Sequence, residues 1–526
     1  MDRPERAPRK SESALIFALL LALLLLLHAP LLKLPYYWDE AGYYVPAAHD
    51  LLLTGSLIPH STPSNAHPPL VMAWLALCWK LAGFSQLVTR TAMVIVAAFA
   101  LLGVFRLARR VANFQVAVAS TLCTALYPVF FAQSSLAHVD LAAAGLIFWG
   151  LCAYVEGQVW LMVLWFSLAV LAKETAVLAP LALFGWEVLR LVVVQQCGTE
   201  RLGKSSWRRS ILLLLPILPL GLWYAYHYSR TGYVFGNAEF FRYNVSATLH
   251  PLRIVLALFM RLWQVFGYMN LFLLTAAGLL AMTRPPLWDG GQERPRIALQ
   301  HQFAFLAVSL TYVGAMAVIG GAVLARYMLP VVPLVIIIFV STLWRRVQLW
   351  RGVVAMVAAG FVIALFLNPP HGFSMEDNLA YRDYILLHED AAHFLEARYP
   401  TARVLTAWPA NDEIARPALG YITRPMKAVR IEDFRLEEVL SAADLRPSFD
   451  VALVFSTKYE PPHPLLENWQ AWQRIKMQYF DYHRDIPPQA AAQILGGEIV
   501  YSETRNGQWV AVIQMQQMFD ARLSPP

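Results

Sequence analysis

Charge is what this chain has least of: 15% of its 526 residues are Asp, Glu, Lys or Arg, while 58% are hydrophobic and mean hydropathy is +0.47. That balance excludes an ordinary soluble enzyme and defines a polytopic membrane protein with room for one soluble domain. Cysteine is scarce as well. Cys78, Cys123, Cys152 and Cys197 lie on apolar segments or their flanks without metal-type spacing, so neither a disulfide framework nor a zinc site is expected. No phosphate-cradling glycine loop, Gly-x-Ser-x-Gly elbow or His-Glu-x-x-His helix is present. Nucleotide hydrolysis, serine hydrolysis and zinc proteolysis therefore have no local support. Solenoid repeats and extended low complexity are also missing, apart from the leucine run of the first apolar segment.

What is abundant is apolar length. About eleven runs of a length that spans hydrocarbon occur, at 14–34, 89–108, 114–135, 141–157, 159–175, 176–195, 211–229, 253–282, 302–323, 328–344 and 352–368. The first follows Arg3, Arg6, Arg9 and Lys10 but has no small-x-small cleavage site before Trp38, so it reads as a retained helix after a cytoplasmic tail of residues 1–13. Alternating spans put that tail and the basic loops at Arg106/Arg109/Arg110, Arg201–Arg209, Arg284–Arg296 and Arg345–Arg351 on one side, the cytoplasmic one. The apolar stretch from His67-Pro68-Pro69 to Gly83 would break this alternation if it crossed; it reads as a short interfacial helix inside a first external loop of 35–88.

Beyond residue 368 the texture becomes mixed and charged. About fifteen Lys and Arg face about twenty-one Asp and Glu there, so the net +7 hides a basic bundle and an acidic domain. The basic excess is topogenic and not a nucleic-acid footprint. Tyr381–Ala397 reads as a helix, Arg403–Ala407 and Val451–Phe455 as strands, and Glu498–Glu503 with Gln508–Gln514 as a hairpin around Asn506-Gly507. Residues 369–526 are thus expected to form a small extracytoplasmic α/β domain. Its Trp408-Pro409, Asn411, Asp412, Trp469 and Trp472 could present aromatic platforms to a sugar, although such residues are more often core or membrane-facing.

Within the membrane part, Asp39 and Glu40 follow Tyr36-Tyr37-Trp38 at the outer mouth of the first helix. Adjacent carboxylates are costly near lipid and mark a functional site. His138/Asp140, Lys173/Glu174, Tyr233–Asn244 and Arg326/Tyr327 open on the same face. Helix capping, snorkelling and interfacial anchoring are the structural alternatives for these residues.

Taken in order, the aromatic-Asp-Glu, His67-Pro68-Pro69-Leu70, Lys173-Glu174, Thr231-Gly232 to Phe235-Gly236-Asn237, and Arg326-Tyr327 opening a proline-containing span resemble the GT-C glycosyltransferases. The chain is most similar to the bacterial branch related to protein O-mannosyltransferases and lipid A aminoarabinose transferases. The resemblance covers residues 14–368; the carboxyl-terminal domain matches only in position. It implies transfer of a hexosyl or pentosyl unit from a polyprenyl-phosphate carrier to a protein, lipid or glycan on the outer face of a bacterial inner membrane, with inversion.

The resemblance implies Asp39 as general base, with Glu40 binding acceptor, orienting Asp39 or capping the loop. His67, Lys173, Arg326 and Tyr327 are expected at the donor phosphate. His67 stands where aminoarabinose transferases have Lys, and neutral imidazole supplies only a hydrogen bond. Asp140, Glu174, Glu239 and Asn244 are expected at the acceptor or in a second acidic cluster. Asp39, Asp140, Glu174 and a His could build an oxygen-rich site for Mg²⁺ or Mn²⁺. The carboxyl-terminal domain is expected to cover the groove or help select the acceptor. A transporter or flippase of an anionic lipid or solute is the rival reading, disfavoured because no duplicated halves with paired broken helices are seen; a scaffold that binds cell-wall partners is a third.

Overall fold

The computed structural model describes residues 10–197, 204–238, 241–242, 245–461 and 469–516. Two compact units divide the chain: Met1–Leu32, Tyr44–Leu367 and Glu376–Asn378 in the first, Lys33–Tyr43, Asn368–Met375 and Leu379–Pro526 in the second. The segment with Asp39 and Glu40 therefore groups with the carboxyl-terminal residues and not with the helix it follows.

The first unit is a helical membrane bundle. Among the described residues seven helices are long and apolar enough to cross a bilayer: Ser11–Leu31, Gln86–Val111, Val139–Glu156, Glu174–Val192, Trp207–Thr231, Pro251–Met282 and Leu299–Val318. These coincide with seven of the eleven expected spans. The other four expected spans are the shorter helices Phe114–Leu126, Val159–Ala172, Val332–Arg346 and Trp350–Phe366. At 1.5 Å per residue they are about 20–26 Å long, below a hydrocarbon thickness of about 30 Å.

Local chemistry explains where they stop. Pro128 pushes Tyr127 out of helical geometry (ψ 122°) and ends the run begun at Phe114. Pro333 at the first turn of Val332–Arg346 delays its start. Ser85 and Asn113 fix two starts by accepting from the Val88 and Val116 amides. Leu70–Ala82 is a 13-residue helix, the short element expected in the first loop.

The bundle interior is built by Gln86–Val111 and Val139–Glu156, whose apolar windows are 72% and 78% buried against 17% for the first helix. The first of these helices touches the second at Gly145, where an added Cβ would lie 2.7 Å from the Ala100 Cβ and 3.1 Å from its Cα. Small residues allow that approach, as in membrane bundles generally. Ion pairs and hydrogen bonds place the basic segments at one end of this unit: Arg109 with Glu12, Arg106 with Glu156, Arg209 with the Tyr154 carbonyl, and Arg345 with Glu293. Asp140 and Glu156 sit at opposite ends of one helix, so Asp140 marks the far end, about 24 Å away.

The second unit is an α/β layer. Its five strands lie in the order Lys427–Ile431, Arg403–Ala407, Val451–Phe455, Gln508–Met515, Gly497–Arg505. The first three are parallel and the last two antiparallel. The helix Ala380–Arg398, the two inner strands and the hairpin turning at Asn506-Gly507 agree with the sequence reading. The strand Lys427–Ile431 was not legible, because as an edge strand it is mostly exposed and carries Lys427 and Arg430.

Gly145→Leu should disrupt the close helix crossing and cost about 1–3 kcal/mol, read as a lowered melting temperature of the detergent-purified protein. Gly185→Leu, with open space around it, should leave that temperature unchanged.

Candidate active site

At the far end of the membrane unit, three segments distant in sequence bring opposite charges together. Asp140 stands in the first turn of Val139–Glu156. Lys173 ends Val159–Ala172 in an extended conformation (φ −153°, ψ 134°), and Arg326 lies in a single 3₁₀ turn, Ala325–Met328. The Lys173 ammonium is 2.5 Å from Asp140 Oδ1, and Arg326 Nε is 3.3 Å from Asp140 Oδ2. Arg326 Nη1 donates to Glu376 Oε2 at 2.5 Å. All four side chains are buried, so each charge depends on the others for compensation.

The Tyr327 ring is the meeting point of the cations. Lys173 Nζ is 4.0 Å from its centroid, Arg261 Cζ 5.4 Å and Arg326 Cζ 5.8 Å, distances at which the negative ring face attracts positive charge. Arg261 is fully buried. Its Nη1 donates to the Leu324 carbonyl and Gln264 Oε1, its Nε to the Met316 carbonyl. Its buried Nη2 has no hydrogen-bond partner among the described residues. Arg253, two helical turns earlier, holds the Gly320 and Gly321 carbonyls at 2.8 and 2.9 Å.

Around this core, His138 Nδ1 is 2.8 Å from Gln133 Oε1 and 3.8 Å from Glu376 Oε2. Burial, reinforced by Arg326, Arg90 and Lys173, holds its imidazole well below the ordinary range and therefore neutral. Asp377 accepts from the Tyr268 hydroxyl at 2.7 Å. Burial raises its carboxyl to about 7, with the Tyr268 hydrogen bond, Arg326 and Arg261 opposing the rise.

The adjacent pair Lys173-Glu174 is split. Because Lys173 is extended, neighbouring side chains diverge, and Glu174 Oε2 meets His67 Nδ1 at 2.8 Å while Lys173 meets Asp140. The His67 ring also stacks against Tyr44, centroids 5.9 Å apart. Asp140 and Glu174 are thus engaged by different partners and do not share a ligand set. Glu239 and Asn244 lie outside the described residues.

Asp39 and Glu40 are in the second unit. Glu40 is buried and its Oε2 accepts from the Tyr37 amide at 2.8 Å, which caps the π-helical turn Glu40–Tyr44. Asp39 is partly exposed. Sequence reasoning missed Arg90, Arg253, Arg261, Glu376 and Asp377. For the first three a signal existed: arginines within apolar runs are expensive and mark buried polar sites. Arg253 and Arg261 with Gln264 also repeat at helical spacing along one buried face of Pro251–Phe266.

Residues 66–223 match the family model described as dolichyl-phosphate-mannose-protein mannosyltransferase. The fold is similar to the crystal structure of ArnT from Cupriavidus metallidurans bound to undecaprenyl phosphate, with TM-score 0.56 and 13% identity over 98% of this chain and 100% of that one. Apo ArnT from the same organism gives a TM-score of 0.50 and 14% identity over 98% and 99% of the two chains. An oligosaccharyltransferase from Archaeoglobus fulgidus, in complex with Zn and sulfate, gives 0.46 and 12% over 95% and 72%. No curated protein matches the sequence. The chain is a polytopic membrane protein with the GT-C fold. Its partial match to the mannosyltransferase model covers the Asp140 and Lys173-Glu174 segments.

Asp140→Asn should leave Lys173 and Arg326 buried without their shared anion and destabilise the protein by about 3–5 kcal/mol. Adding Lys173→Gln should recover part of that loss, measured by thermal unfolding in detergent. Asp377 titrates higher in the folded chain than its unfolded value of 3.8. Its contribution to stability is therefore full below that value and is lost as pH rises through about 7. Asp377→Asn should flatten the fall in melting temperature between pH 5 and 8.

Proposed function

We propose that this protein is an inverting membrane glycosyltransferase that moves a sugar from a polyprenyl-phosphate carrier to an acceptor on the outer face of a bacterial inner membrane. The observation that carries this reading is the buried cationic group around Tyr327. Lys173, Arg261 and Arg326 gather around one ring, with Asp140 and Glu376 pairing Lys173 and Arg326, and Arg261 Nη2 is a buried donor with no partner among the described residues. A lipid-linked phosphate would give that donor an acceptor, and arginine forks suit its oxygens. The undecaprenyl phosphate bound by ArnT, which shares the fold, supports the same ligand class here. Carboxyl-terminal residues 369–526 and the basic end of the bundle would then lie on opposite sides of the membrane, with the basic end cytoplasmic.

In the reaction the acceptor oxygen attacks the anomeric carbon while Asp39 takes its proton. The bond from that carbon to the phosphate oxygen breaks, and the electron pair leaves on the polyprenyl phosphate. Arg261, Arg326 and Lys173 stabilise that developing charge. Attack opposite the departing phosphate inverts the configuration. His67, paired with Glu174, orients the loop beside this group, and Tyr327 holds the cations together through its ring face.

The test supplies membranes or purified protein with radiolabelled polyprenyl-phosphate sugars and a mixed acceptor extract. Wild type should move label into acceptor and thereby name the sugar. Asp39→Asn should lose about 10²- to 10⁴-fold in rate, and Arg326→Lys should weaken donor use despite keeping the charge. Donor bound but never consumed by wild type would favour transport of a lipid-linked solute instead.

A further inference from the structure

The second unit contains a relation that the chemistry above leaves unexplained. Its parallel strands run in the order Lys427–Ile431, Arg403–Ala407, Val451–Phe455, so the chain leaves Arg403–Ala407 toward one side and later returns to the other. Open α/β sheets bind ligands beyond the carboxyl ends of their strands at such a switch point. Here the chain's own residues 36–42 take a place there. Trp408, which directly follows Arg403–Ala407, meets the Trp38 indole edge to face, centroids 5.1 Å apart at 79°.

The hold is continuous along the segment. The Tyr36 amide donates to the Leu419 carbonyl at 3.1 Å, and the Tyr421 hydroxyl donates to the Tyr36 carbonyl at 3.0 Å. Tyr384 packs edge-on against both Tyr37 (5.3 Å) and Trp38 (5.7 Å). Behind it stands His388, stacked on Tyr384 at 3.9 Å and hydrogen-bonded to Glu413 at 2.6 Å, both fully buried. Gly42 closes the other side: a Cβ there would lie 2.5 Å from the Trp408 indole nitrogen.

This clamp has a conformational consequence. Trp38, immediately before Asp39, has φ +41°, a left-handed conformation unfavourable for a bulky residue unless its surroundings impose it. We propose that the carboxyl-terminal unit holds the Asp39-bearing segment in its working conformation, with Trp408, Tyr384 and Tyr421 as positioning residues. The inference rests on the reading of Asp39 as general base. It gives the soluble unit a role in catalysis besides covering a groove or selecting an acceptor.

The test compares wild type with Trp408→Ala, Trp408→Phe, Gly42→Ala and Asp39→Asn by amide hydrogen exchange and by transfer from radiolabelled undecaprenyl-phosphate sugars in membranes. Trp408→Ala should speed exchange of amides 36–44 about tenfold or more. It should lower kcat about a hundredfold with KM for the donor unchanged, as a small misplacement of a catalytic group does. Trp408→Phe should restore most of both. Gly42→Ala perturbs the same contact from the opposite side with Trp408 intact, and carries the test if Trp408→Ala does not fold. Wild-type exchange in both Trp408→Ala and Gly42→Ala overturns the clamp. A raised KM at unchanged kcat overturns it too and makes these residues donor ligands. Wild-type transfer by Asp39→Asn overturns the base assignment instead, and the exchange data still decide the clamp.

Discussion

Burying positive charge inside a membrane bundle is the constraint around which the rest of the first unit is arranged. Lys173 and Arg326 have almost no access to water, and a lone cation in that setting is strongly disfavoured. Asp140 answers both, one carboxylate oxygen to each, and Glu376 takes the second face of Arg326. Three helix ends and a segment from beyond the last helix must therefore converge on one point. The 3₁₀ turn of Arg326, the extended Lys173 and the first-turn placement of Asp140 follow from that convergence. The close helix crossing at Gly145, about 1.4 turns along from Asp140, keeps the carboxylate-bearing helix against its neighbour.

The cationic group extends beyond those ion pairs. Arg261 adds a third cation to the Tyr327 ring face, while Asp377 holds its proton near neutral pH and adds no full counter-charge. Under the proposed function, donors fixed in this way would meet an anion with little reorganisation as charge develops. The Arg253 and Arg261 contacts to the carbonyls of residues 316–324 tie the loop before Arg326 to the same helix and fix its direction.

The second unit solves a different problem, that of ordering the short segment that follows the first helix. Aromatic side chains suit this work because they bury large area with few rotatable bonds and meet edge to face. Tyr36, Tyr37 and Trp38 look like interfacial anchors in the sequence, and their composition is that of a membrane belt. Their partners Tyr384, Trp408, Leu419 and Tyr421 lie more than three hundred residues later, beyond the reach of any local pattern. The same holds for the edge strand Lys427–Ile431, whose charged residues conceal its place in the sheet.

By itself the sequence determined the membrane class, most of the spans, most regular elements of the carboxyl-terminal sheet and some of the costly charged residues, Asp140, Lys173 and Arg326 among them. Each of these depends on composition, period or a nearby proline or glycine, all local properties. Tertiary structure decided the partners. Lys173 pairs with Asp140 and Glu174 with His67, across 33 and 107 residues, although Lys173 and Glu174 are neighbours in sequence and read naturally as one pair. Arg261 joins the cationic group and Asp39 joins the second unit for the same reason: which buried charges and rings meet is set by how the elements pack, and no stretch of sequence contains both sides of those contacts.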